Sequence, residues 1–180
     1  MIPVGYMAKR VTKRPGWLQA ANVIDIYSVS SCVSEDFADY INYWKHNGYW
    51  LFDSPEVIRS LAREQALGLE GTSLFYYEAY EMEFGGGSWH TYTPEPSFQI
   101  NVTPPTEKAI EGFDVITFYA RGHPECSPLS CNSLAEKLRT NSHCLFPSFD
   151  DAKTTLTSGG FTKCEPGPYR IFSVYSVDWP

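Results

Sequence analysis

The segment Asn47-Gly-Tyr-Trp-Leu-Phe-Asp-Ser54 returns 94 residues later as Asn141-Ser-His-Cys-Leu-Phe-Pro-Ser148, with Asn, Leu, Phe and Ser kept. A signal that recurs at a long period narrows the folds open to a chain, because each copy must find an equivalent environment. Two further matches flank it. Ile24–Ser28 resembles Phe113–Thr117 at an offset of 89, and the alternating run Tyr76–Phe84 resembles Ile171–Trp179 at an offset of 95. Three matches in one order, with offsets rising as small insertions would require, predict an internal duplication.

Each half reads strand, helix, strand, helix, strand. In the first, Ile24–Val29 carries the β-branched and aromatic residues of a half-buried strand. Ser34 is placed to cap a helix whose Phe37, Tyr40, Ile41 and Trp44 recur at i, i+3, i+4 and i+7. Asn47-Gly48 ends it, and Tyr49–Phe52 reads as a short buried strand. Ser54 caps a second helix with Pro55 at its first position, and Gly68 is expected to end that helix. The second half repeats the plan with a short helix over Asn132–Arg139 and another capped by Ser148 and ended by Ser158-Gly159-Gly160. Extra strands are expected at Val4–Val11 and Phe98–Val102. The expected fold is α+β, with two similar (β)βαβαβ halves, mixed sheets, helices packed on one face and a pseudo-two-fold arrangement. The halves span 1–88 and 95–180, in one compact unit joined by a Gly/Pro-rich linker at 85–97.

Composition limits the partners. With a net charge of −7, the chain lacks the basic face from which nucleic-acid binders draw affinity. Its only basic cluster, Lys9, Arg10, Lys13 and Arg14, reads as a solvated turn. No apolar run is long enough to span a bilayer and no signal peptide is evident, so the expected setting is cytoplasmic with no membrane partner. The five cysteines form an odd set, which predicts reduced thiols. Aromatic residues reach 16%, enough to supply both a core of large rings and a sticky surface. A protein or small-molecule partner is therefore expected, for a monomer or homodimer; no cofactor is.

The candidate chemistry lies in the second half. His123, Cys126, Cys131, His143, Cys144 and Cys164 are metal-ligating types, but Cys126-x₄-Cys131 is an uncommon spacing without a matching second pair, so no metal is assigned. Neighbours in a strand, such as His143 and Cys144, would point to opposite faces. Cys32, Cys126 and Cys131 each follow a strand and precede a helix, where a thiol gains thiolate character. The polar loop Arg121–Asn132 and the shorter loop Ser30–Ser34 would gather at one sheet edge if the first strands of a half ran parallel. The candidate ligand-binding residues are thus Arg121, His123, Cys126, Cys131, Asn132 and Cys32. Tyr43 and Trp89 are the expected interaction surface. No catalytic residue is assigned. The leading expectation is a non-enzymatic binding or interaction module. The alternatives are an enzyme with a thiol/His site in the 121–132 loop, or a structural zinc protein.

Overall fold

The structure, a computed structural model, describes residues 1–33, 45–96, 98–118 and 124–180, and the backbone of 35–36. The expected helix over Ser34–Trp44 lies outside the described residues. The chain is a mixed α+β protein built on an antiparallel sheet with few helices. Its strands are β1 (Ile2–Arg10), β2 (Thr12–Lys13), β3 (Asp25–Ile26), β4 (Glu35–Asp36), β5 (Ser73–Gly85), β6 (Ser88–Thr91), β7 (Ala109–Thr117) and β8 (Tyr169–Val177). The helices are α1 (Pro55–Glu64), α2 (Pro128–Cys131) and α3 (Phe149–Thr157), with a 3-10 turn at Leu134–Glu136. The main sheet runs β4-β1-β5-β8-β7, β6 pairs with β5, and β2 and β3 form a separate ribbon.

Every strand pairing among the described residues is antiparallel, which corrects the expectation of mixed sheets. The run at 24–29 is not a strand of the main sheet either; only Asp25–Ile26 pairs, with β2. β1 takes the sheet position beside β5 that β7 takes beside β8. No strand forms at 98–102.

The reason lies in the two Asn-headed blocks. Asn47 is buried, and its Oδ1 accepts from the N–H groups of Tyr49 (2.9 Å) and Leu51 (3.3 Å) while its Nδ2 donates to the Val4 carbonyl (2.9 Å). Asn141 repeats this with His143 N, Leu145 N and the Glu111 carbonyl. The side chain takes the groups a ladder would have used, so 49–52 is a tight turn that touches β1 through one bridge, Tyr6 to Phe52. Its counterpart bridges Phe113 to Phe146. Trp50 and Cys144 occupy the left-handed region, at φ 64° and 61°. Each turn presses on a strand glycine. A Cβ on Gly5 would meet the Phe52 oxygen at 2.7 Å, and one on Gly112 the Phe146 oxygen at 2.8 Å. Both sites demand glycine because backbone lies where a side chain would begin.

Ser54 and Ser148 stand at the N-caps of α1 and α3, as expected, and Ser148 Oγ accepts from Asp151 N at 3.1 Å. α1 stops at Glu64 rather than near Gly68, with Ala66 taking the left-handed place. Gly86-Gly87, at φ 58° and 81°, closes the β5–β6 hairpin as the paired positive-φ turn such hairpins favour. The short helix of the second half begins at Pro128, ahead of the expected 132, because Ser127 and Pro128 supply its start. α1 packs on β1, and α3 on β7 and β8. Ile58, Leu61, Tyr6, Phe52 and Tyr76 sit in one buried cluster; Val115, Phe146, Ala152, Leu156 and Ile171 sit in another. No helix among the described residues is long and apolar enough to cross a membrane.

Candidate metal centre

β7 ends at Thr117, whose N–H and carbonyl bond the Cys126 carbonyl (2.9 Å) and the Glu125 N–H (3.1 Å). This fixes Cys126 at the sheet edge. Ser127 then opens α2, and its carbonyl accepts from Cys131 N at 2.8 Å. One helical turn rises only about 5.4 Å, so the x₄ spacing that looks unlike a ligand pair folds Cys131 back beside Cys126. Cys32 arrives from the other half of the sequence. Among the described residues, these three are the cysteines whose Sγ atoms all lie within 4.8 Å of one another.

Two buried charged side chains fix the segment just before Cys32. Lys9 Nζ donates to the carbonyls of Ser28 (2.5 Å), Val29 (3.1 Å) and Ser30 (2.8 Å), gathering the loop before Cys32. Its burial corrects the reading of Lys9 as part of a solvated turn: it closes the buried run Val4–Lys9 of β1, with its ammonium under that loop. Asp114, fully buried on β7, accepts from Val29 N (2.9 Å) and Val115 N (2.9 Å), and from Ser127 Oγ (2.6 Å). One carboxylate thus ties the Cys32 loop and the start of α2 to the same strand. Burial pushes its pKa up, opposed by the hydrogen bonds from Ser127, Val29 and Ser28 and by the Lys9 charge.

The thiols differ in exposure: Cys32 is exposed, Cys131 half-buried and Cys126 buried. Hydrogen bonds from Cys126 and then Cys131 hold Cys32 well below the ordinary thiol range, against desolvation. Cys126 moves the other way, raised by its hydrogen bonds to Cys131 and Cys32 and by burial. For Cys131 the bond with Cys126 lowers the pKa, but the bond with Cys32 and burial outweigh it, and the thiol is pushed up to about 12.

The remaining sequence candidates are placed as follows. Arg121, His123 and Tyr43 lie outside the described residues. Asn132 follows α2; its Nδ2 donates to Glu165 Oε1 (3.3 Å), and its buried Oδ1 has no hydrogen-bond partner among the described residues. His143 and Cys144 leave the cluster. His143 stacks on Tyr27 (4.1 Å), with Nδ1 2.5 Å from Asp25 and Nε2 3.6 Å from Glu111, whereas Cys144 is buried in an apolar cluster. They part at a tight turn, not along a strand. Trp89 is half-buried, edge-on to Tyr80 (5.5 Å) and beside Lys153, so its ring is part of the packing. Sequence reasoning missed Asp114 and Lys9. The available signal was an acidic residue inside the apolar run Phe113-Asp-Val-Ile, which calls for a buried partner.

Comparison with protein-family models, curated proteins and solved structures returned no match.

Proposed function

We propose that this chain is a non-enzymatic binding protein whose ligand is a soft divalent metal ion of the zinc class, held by Cys32, Cys126 and Cys131. The observation that carries the reading is the convergence of three thiols, one just before and one at the end of the short helix α2, and one from nearly a hundred residues earlier. In a tetrahedron with bonds of about 2.3 Å, ligand sulfurs stand roughly 3.8 Å apart. The 4.8 Å envelope reaches that spacing with a small contraction. Such an ion would pin the Cys32 loop to α2. The reading assumes a reducing, cytoplasmic compartment, where cysteines in close sets serve metals more often than structural disulfides.

The test is metal content after purification without added metal, followed by cobalt substitution. About one equivalent of zinc is expected, and a cobalt–thiolate charge-transfer band on exchange. Either Cys32→Ser or Cys131→Ser removes both, while Cys164→Ser keeps both. A chain that holds no zinc, and takes up none against a weak chelator, rejects the proposal.

A second reading, an enzyme with a nucleophilic thiol, is favoured by the exposure of Cys32 beside two proton donors. Alkylation kinetics separate the two: zinc protects all three thiols, whereas a nucleophile reacts fastest in the protein as purified.

We further propose that the halves are copies related by a pseudo-two-fold axis, forming one unit. The paired sets Gly5/Gly112, Asn47/Asn141, Trp50/Cys144 and Ser54/Ser148 support this. So does the register: Gly5 pairs with Tyr77, Tyr77 with Val174, and Val174 with Gly112, which would put the axis between β5 and β8. Under this reading β1, rather than 24–28, is the counterpart of β7.

A further inference from the structure

The three sulfurs are not equivalent, and the difference has a chemical consequence. Cys126 is buried beside the end of β7, its carbonyl accepting from Thr117 N at 2.9 Å while its neighbour Glu125 donates to the Thr117 carbonyl at 3.1 Å. Cys131 sits half-buried at the end of a single helical turn. Cys32 is exposed, in a turn, with both other sulfurs within 4.8 Å. An oxidant arriving from solvent therefore meets Cys32 first, and the more accessible second sulfur within reach is Cys131. A disulfide requires the two sulfurs to close to about 2.05 Å, a movement easier for an exposed turn than for a buried strand end.

We propose that the site is a peroxide-responsive metal switch, in which Cys32 and Cys131 form a reversible disulfide that expels the ion. This rests on the metal reading above. The Cys32 thiolate attacks one oxygen of hydrogen peroxide, the O–O bond breaks, and a sulfenic acid forms at Cys32 with release of hydroxide. The Cys131 thiolate then attacks the Cys32 sulfur, an S–S bond forms, and a second hydroxide leaves. Two electrons pass from the sulfur pair to the peroxide, and two protons from solvent complete two waters. The ion is left with Cys126 alone, and one thiolate does not retain it. A dithiol reductant reverses the step. Exposed thiolates beside a resolving cysteine are the sites where such oxidation stays reversible.

The test treats zinc-loaded protein with stoichiometric peroxide, follows zinc with a chromophoric chelator, and maps disulfides by mass spectrometry after alkylating free thiols. One zinc released per Cys32–Cys131 linkage supports the proposal, as does Cys131→Ser protein that accumulates dimedone-trappable Cys32 and no linkage. A Cys32–Cys126 linkage, or Cys32 over-oxidised with no linkage, overturns it. Zinc retained through peroxide overturns the switch while leaving the metal reading intact. Protein that never holds zinc yet forms the linkage overturns the metal reading, and the release step with it.

Discussion

Replacing Asp114 by Asn swaps one acceptor oxygen for a donor at a point where the carboxylate receives three N–H or O–H groups from Val29, Val115 and Ser127. If the remaining oxygen keeps the two bonds of Oδ1, the new NH₂ faces Val29 N–H at the former 2.9 Å contact. One buried donor then lacks a partner, at a cost of about 1–3 kcal/mol. Removing a buried charge recovers part of that, since burial already disfavours ionised Asp114. A net loss of about 2 kcal/mol is expected for Asp114→Asn. Asp114→Ala, which strands all three donors and the Lys9 charge, is expected to lose about 3–5 kcal/mol. Urea unfolding at neutral pH measures both. The same bonds orient the Cys32 loop and the Ser127 cap, so zinc affinity should fall with stability, by about tenfold or more, as for other residues that position ligands. Chelator competition on folded Asp114→Asn protein reads this. If stability drops and zinc affinity does not, Asp114 is only a core residue. If neither moves, the hydrogen-bond reasoning is wrong.

Asn47→Ala leaves the Val4 carbonyl and the Tyr49 and Leu51 amides without their side-chain partner in a buried turn, and should cost about 4 kcal/mol in urea unfolding; a loss under about 1 kcal/mol would mean water replaces the side chain. His46 is buried against Trp50 and Phe98, and desolvation lowers its pKa despite the bond to the Asn47 carbonyl. The unfolded chain therefore binds the proton first as pH falls below about 6.5, and wild-type stability declines there relative to His46→Phe. Parallel stability–pH curves for the two proteins would refute this.

Much of the frame was legible because its signals are local. Serine caps, a proline at N1 and alternating strands set the starts of α1 and α3 and the runs of β5 and β8 near their expected places. Strand direction was not, because Tyr49–Phe52 has a strand's composition while Asn47 diverts its amides; one side chain outranks four residues of propensity. The site divided along the same line. The thiols Cys32, Cys126 and Cys131 stood out by their places before helices, but their meeting depends on Lys9 and Asp114, and a buried charge in a strand declares no address in sequence. Cys126-x₄-Cys131 matches no common ligand spacing, yet its sulfurs lie within 4.8 Å, because spacing rules presume a known backbone path.

Among the described residues β7 joins the main sheet through β8, which comes later in the chain. Until residues 169–177 leave the ribosome, β5 offers an open apolar edge, and β7 has no neighbour on which to dock. Contacts this distant in sequence slow folding and prolong exposure of sticky intermediates. The strand that carries Asp114 thus settles only once residues 169–177 are made, so the thiol cluster would mature late, and nascent chains stalled before residue 169 should need chaperone protection.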